Sequence, residues 1–89
     1  MTSEVLTILS EECAEVIQVA SKLQRFGVDD VKNKKRLQDE VGDLIAVIVI
    51  LHTLGIVNEK DIQKQVKRKL RKLKRWSNID CLDDIIKNL

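Results

Sequence analysis

Four acidic residues occur as two pairs with the same spacing, and each pair interrupts an otherwise apolar helical pattern. Glu12 and Glu15 form the first pair, and Glu40 and Asp43 form the second. Residues three apart on a helix project from the same face, so the two carboxylates of each pair point the same way. At about 100° per residue, Glu12 falls in the middle of an apolar arc. Two such faces packed together would present four acids to a shared interior.

Carboxylates in such an interior need a positive partner. An unpaired buried carboxylate costs several kcal/mol, and neighbouring carboxylates also repel one another. Lys and Arg are nearly absent from the same helical arcs. A divalent cation would offset the charge, and an all-oxygen set of ligands suits Mg²⁺ or Mn²⁺. The alternative is that these acids border the core and point to water.

The apolar pattern and the turn signals predict an all-α protein. With no proline and three glycines, the composition favours helix. Ser3, Asn33 and Asn58 are the predicted N-caps, and Gly27 and Gly55 are the predicted stops. The predicted helices are three long ones, at about 3–26, 33–54 and 58–76, and a short one within 80–88.

The length of 89 residues predicts a single domain, residues 1–89, folded as an antiparallel helical bundle. The run Leu44–Leu51 is apolar on all sides, so a helix there must be covered all round. A buried strand is the other interpretation of this β-branched run, but it would have no partner strand. We therefore expect oligomerisation to complete the bundle, as a homodimer or a homotetramer, with Leu44–Leu51 at the subunit contact.

The remaining composition indicates a cytoplasmic protein. Two cysteines are too few for a disulfide framework, and we expect Cys13 to be a buried small hydrophobe and His52 to be a core residue. The N-terminal segment lacks the basic region of a secretory signal. The longest apolar run, Leu44–Leu51, is far shorter than the roughly 20 residues of a membrane span, so we expect no membrane association.

The acidic pairs and their surroundings resemble a known family. Glu11–Glu15 followed by Glu40–Asp43 is similar to E-E-x-x-E…E-x-x-D, the signature of the all-α nucleotide pyrophosphohydrolases. This superfamily includes MazG, dimeric dUTPases, dCTP pyrophosphatases and phosphoribosyl-ATP pyrophosphohydrolase. The stretch Ser21–Gly27 resembles small phage and bacterial MazG-like proteins. The resemblance covers roughly residues 6–76.

The resemblance implies an activity and a cofactor. Glu12, Glu15, Glu40 and Asp43 would coordinate Mg²⁺ or, as a substitute, Mn²⁺. Glu11 would have a catalytic role, as water activator, ligand of a second metal ion or support for a ligand. The reaction would hydrolyse a nucleoside triphosphate, a deoxynucleotide or a modified nucleotide, to the monophosphate and pyrophosphate. The sequence does not predict which base is recognised.

Five basic residues are candidates for contacts with the substrate. Lys69, Lys72 and Arg75 resemble the basic positions with which relatives hold the phosphates, and they follow one another at intervals of three. Lys22 and Arg25 follow the first acidic pair on the same helix and could also face the nucleotide.

The dense basic run Lys67–Arg75 allows a different interpretation. A solvated helix face is the commonest reason for such a run. The alternative function is a non-enzymatic helical module that uses this helix to bind nucleic acid or an acidic partner. Nucleic-acid binding is the less favoured interpretation, because it would not explain acids inside an apolar arc.

Overall fold

Helices are the regular elements of this protein. The computed structural model describes residues 2–89 and contains no strand among them. The elements are α1 (Thr2–Phe26), α2 (Val31–Thr53), α3 (Glu59–Trp76) and α4 (Leu82–Lys87). The predicted all-α class, with three long helices and a short C-terminal one, is confirmed.

The helices form two compact units, of which the first ends at Ile56. In this unit α1 packs against α2. Its core consists of Val19 and Leu23 from α1 and Val47 and Leu51 from α2, each less than a tenth exposed. Within each helix these residues are four apart, which places them on one face. The two apolar faces therefore meet along the hairpin and fix the orientation of the side chains beside them.

The ends of α1 and α2 differ in part from the predicted ones. Ser3 is not the N-cap of α1, because the helix already includes Thr2. Asp30, and not Asn33, caps α2, and its Oδ1 accepts a hydrogen bond of 3.0 Å from the Asn33 backbone N–H. Asp30 directly precedes the first residue of α2, so its side chain reaches the free backbone N–H three residues later.

Glycine ends both helices of this unit, as predicted. Gly27 and Gly55 have φ angles of 92° and 74°, the left-handed region that a residue with Cβ adopts only with strain. After α2, the Ile56 backbone N–H donates to the Leu51 carbonyl oxygen at 2.9 Å. This bond closes the helix end and starts the connection to the second unit.

The second unit, Val57–Leu89, contains α3 and α4, which pack against each other. Asn58 caps α3 as predicted, since its Oδ1 accepts from the Asp61 backbone N–H at 3.3 Å. Lys74 of α3 forms an ion pair of 2.7 Å with Asp83 next to the start of α4. Leu82 is the buried apolar residue of α4.

Several apolar side chains of the first unit remain exposed in the single chain. Ile45 and Val49 of α2 are 54% and 57% exposed, and Ile17 of α1 is 69% exposed. Cys13 and His52 are exposed as well, so the expectation that each is buried is wrong for the single chain. The expected oligomer stays a prediction. Within residues 2–89, none of the helices combines the length and the apolar content needed to cross a bilayer.

Candidate active site

The packing of α1 against α2 brings three predicted site residues together. Glu12 projects from α1, and Glu40 and Asp43 project from α2 one turn apart. One carboxylate oxygen from each residue lies within 4.8 Å of an oxygen from each of the others. Glu12 and Glu40 are half-buried, whereas Asp43 is exposed. We call these three residues the acidic cluster. It is partly shielded from water, and its Asp43 edge is open.

The other two predicted acids lie beside this cluster. Glu15 lies one turn after Glu12 and is half-buried. Glu11 directly precedes Glu12 and is exposed. In the described part of the chain, the carboxylates that lie close enough to share one ion are those of the acidic cluster, and the Glu15 carboxylate is not among them. Its assignment as a metal ligand stays a prediction.

The cluster perturbs the titration of Glu12. Partial burial removes water from this carboxylate and raises its pKa above the ordinary value of 4.5. The negative charges of Asp43, Glu40, Glu15 and Glu11 raise the pKa further, in that order. Both causes disfavour the ionised form, since desolvation and like charge each act against a carboxylate anion. The protein holds Glu12 in an environment that a positive charge would relieve.

No basic side chain supplies that charge within the described part of the chain. The ion pairs found there are Lys35–Asp39 and Lys74–Asp83, and neither involves the acidic cluster. Oxygen ligands about 2.1 Å from Mg²⁺ in an octahedral shell lie about 3–4 Å from one another. The cluster oxygens lie within 4.8 Å of one another, a range that includes this spacing. The cluster therefore fits a hard divalent cation in charge, donor type and separation.

A shallow surface lies on α1, on the C-terminal side of the acidic pair. Lys22 and Arg25 line it, and Lys22 is half-buried. Gln18 and Ser21 line the same surface, although sequence reasoning had not selected them. Gln18 stands four residues before Lys22 and Ser21 four residues before Arg25, and this spacing is the signal that could have found them. Lys22 lies about 10 Å beyond Glu15 on the same face of the helix.

The remaining basic candidates belong to α3 in the second unit. Lys69, Lys72 and Arg75 are exposed there. The Lys69 side chain borders a shallow apolar surface formed by α3 residues, among them Ile62 and Leu70. A role for these three cations in phosphate binding stays a prediction.

Comparison with known proteins supports the resemblance read from the motifs. The model of the MazG nucleotide pyrophosphohydrolase domain matches residues 2–78. This range includes both acidic pairs and the basic helix. No curated protein and no solved structure matches the chain significantly. Since the family match extends over most of the sequence, the chain belongs to the MazG nucleotide pyrophosphohydrolase family.

Proposed function

We propose that this protein hydrolyses a nucleoside triphosphate to the nucleoside monophosphate and pyrophosphate in a Mg²⁺-dependent reaction. The substrate would be a deoxynucleotide or a modified nucleotide. The observation that carries the proposal is the convergence of Glu12, Glu40 and Asp43 from two helices. The family supports nucleotide pyrophosphohydrolysis in general. We add to this general activity a metal ion, a substrate class and a role for each site residue.

Glu12, Glu40 and Asp43 would hold Mg²⁺ or Mn²⁺, and Glu15 would complete the set from the next turn of α1. Bound there, the ion would offset the charge of the triphosphate and lower the pKa of a coordinated water. The fit rests on three carboxylates, two half-buried and one exposed, with no basic partner among residues 2–89. Ionisation of Glu12, which its surroundings oppose, would then be favoured.

Glu11 is the proposed proton acceptor. Its carboxylate is exposed beside Glu12, and it forms no ion pair within the described residues. Water adds across the bond between the α- and β-phosphates, and that bond breaks as pyrophosphate leaves. Glu11 would take the proton of the water and then release it to solvent. General-base assistance of this kind contributes about a hundredfold to ten-thousandfold to a rate.

Basic side chains would bind the phosphates. Lys22 and Arg25 follow the acidic pair along α1 and could reach a substrate that extends from the metal. Lys69, Lys72 and Arg75 are assigned the same role from the family resemblance. Negative charge grows on the leaving pyrophosphate, so a cation beside it stabilises the transition state more than the ground state.

We further propose that the working form is a homodimer or a homotetramer. Exposed apolar side chains on α2, including Ile45 and Val49, are the supporting observation. Large apolar side chains that are exposed side by side on one surface are typical of protein–protein interfaces.

Product analysis tests the proposed reaction. The purified protein is incubated with Mg²⁺ and a panel of common, deaminated and oxidised nucleoside triphosphates, together with phosphoribosyl-ATP. Anion-exchange chromatography then resolves monophosphate from diphosphate products. We expect monophosphate and pyrophosphate in equal amounts from at least one member of the panel. Nucleoside diphosphate with orthophosphate would contradict the proposed bond cleavage.

A matched pair of variants links turnover to the acidic cluster. Glu12→Gln removes one ligand charge at constant size, and Glu4→Gln removes an exposed acid from the first turn of the same helix. Loss of groups that merely support a metal ligand costs about tenfold to a hundredfold. We therefore expect Glu12→Gln to lose at least about a hundredfold in kcat, and Glu4→Gln to match the parent. Equal activity of the two variants would remove the cluster from the active site.

A further inference from the structure

Helix α3 carries seven cations along one of its faces. At about 100° per residue they fall within an arc of about 120°. The two acids of α3, Glu59 and Asp61, lie outside this arc, and the apolar side chains from Ile62 to Leu73 point the other way. The seven cations, which we call the basic stripe, are Lys60, Lys64, Lys67, Arg68, Arg71, Lys74 and Arg75.

The basic stripe is exposed and mostly without counter-charge. All seven side chains are exposed. Lys74 is paired with Asp83 at 2.7 Å, and the other six form no ion pair within residues 2–89. Exposed cations with no protein partner are free to contact an external anion.

The stripe also concentrates charge within one part of the chain. Residues 57–89 contain ten Lys and Arg and five Asp and Glu, a net charge of +5. Several stripe residues stand four apart, for example Lys60 with Lys64 and Lys67 with Arg71. Like charges at this spacing weaken a helix. A bound polyanion would turn this repulsion into a favourable interaction.

The proposed reaction does not account for the stripe. From Lys60 to Arg75 it extends about 22 Å along the helix. A single triphosphate offers three phosphate groups and cannot engage a row of that length. Lys69 and Lys72, which we assign to substrate phosphates, lie outside the arc, and Arg75 is the residue that the two assignments share. Most of the stripe is therefore available for another ligand.

We propose that the basic stripe binds the phosphate backbone of a nucleic-acid duplex without base specificity. A duplex carries one charge per roughly 1.7 Å of its axis with both strands counted, so a length of about 22 Å contains more phosphates than the stripe has cations. Recognition of single strands relies on aromatic side chains that stack on bases. Trp76, the aromatic residue of α3, lies outside the arc. The chemistry of the stripe thus matches phosphates and not bases.

An anionic membrane is the other extended polyanion, and the arrangement of α3 disfavours it. A helix that binds membranes inserts its apolar face between lipids while cations on its polar face touch the headgroups. In α3 the apolar face is not free to insert. Leu70 and Leu73 on the apolar side are half-buried, and α4 packs against this helix. The stripe would meet a bilayer through charge alone.

Fluorescence anisotropy with a labelled DNA duplex of mixed sequence tests the proposal. The titration is run in EDTA without nucleotide, from about 50 to 200 mM NaCl. We expect the logarithm of the binding constant to fall linearly with the logarithm of salt concentration, with a slope near −6 if all seven cations engage phosphates. A triple variant, with Lys60→Gln, Lys64→Gln and Arg71→Gln, removes the three cations in the middle of the arc. Its slope should be shallower by about three, with weaker binding at every salt concentration.

The matched control removes three exposed cations from elsewhere. This control variant carries Lys32→Gln, Lys34→Gln and Lys87→Gln. It has the same net charge as the first triple variant and should keep the salt slope of the parent protein. Nucleotide turnover should be unchanged in both triple variants, which separates this proposal from the proposed reaction. Equal weakening in the two triples would reduce the effect to net charge and overturn the proposal. Absence of duplex binding by the parent would also overturn it, and so would binding to phosphatidylserine vesicles without binding to the duplex.

A second variant keeps the proposal testable if the triple variant loses helicity by circular dichroism. Asp83→Asn releases Lys74 from its ion pair without touching the stripe. We expect it to tighten duplex binding and to steepen the salt slope by up to about one. Unchanged binding and slope in this variant would contradict a contact between the stripe and phosphates at Lys74.

Discussion

The carboxylates of Glu12 on α1 and Asp43 on α2 approach within 4.8 Å of each other. Glu40, one turn before Asp43, shares the same space. Nothing positive lies among them in the described residues, and partial burial together with the neighbouring negative charges raises the pKa of Glu12. The packing of the first unit therefore forces together charges that repel. We therefore expect the stability of the protein to depend on pH and on divalent cations.

Without metal, the stability of the protein should depend on Glu12 ionisation. The folded-state pKa of Glu12 lies above its ordinary value of 4.5, so the folded state binds more protons than the unfolded state between those two values. The free energy of unfolding should consequently rise as the pH falls through this window. Glu12→Gln cannot titrate, and its unfolding curve should lack this contribution. Urea unfolding in EDTA at a series of pH values measures the difference, and identical pH profiles would contradict it.

Divalent cations should stabilise the folded state through the acidic cluster. At a hundredfold excess over its dissociation constant, a ligand adds about 2.7 kcal/mol, or roughly 10–20 °C in Tm for a domain of this size. Asp43→Asn should lose most of this gain. Asp39→Asn, on the same helix but in an exposed ion pair with Lys35, should keep it. Differential scanning calorimetry with Mg²⁺ or EDTA checks this, and equal gains in both variants would place the ion elsewhere.

Two lysines of α3 should separate nucleotide hydrolysis from duplex binding. Lys72→Ala removes a proposed phosphate contact worth roughly 1.5–3 kcal/mol, so kcat/KM should fall about tenfold to a hundredfold. Lys64→Ala lies within the basic stripe and should leave turnover unchanged while weakening duplex binding. Steady-state kinetics on the best nucleotide, beside anisotropy titrations, measure both effects. Small and equal effects on turnover would remove α3 from the active site and leave the acidic cluster unaffected.

Features that depend on local sequence were predictable. Asn58 stands three residues before a free backbone N–H, and the cap follows from that spacing alone. The i, i+3 spacing of Glu40 and Asp43 likewise fixes their common face on α2. Their meeting with Glu12 follows because an acid in the middle of an apolar arc must face whatever covers that arc.

Features that depend on packing were harder to predict. Asp30 and Asn33 are both good capping residues, and the choice between them depends on where the α1–α2 connection places the chain. Cys13 has an apolar character but stands on the uncovered side of α1, where one hairpin leaves it exposed. Periodicity gives the direction in which a side chain points around its helix. It does not give the axial offset between two helices that pack together. For that reason it could not distinguish Glu12 from Glu15 in the cluster.

Self-association of the protein should involve the exposed apolar side chains of α2. Val49 is 57% exposed in the single chain, and burying a valine fully contributes about 1.5–3 kcal/mol. We expect sedimentation at micromolar concentration to show a dimer or a tetramer. Val49→Lys, which would bury a charge at the contact, should raise the dissociation constant at least about tenfold. Val31→Lys is the matched control at the start of α2, where the side chain is 81% exposed, and it should associate like the parent. A parent protein that sediments as a folded monomer would contradict an interface at Leu44–Leu51.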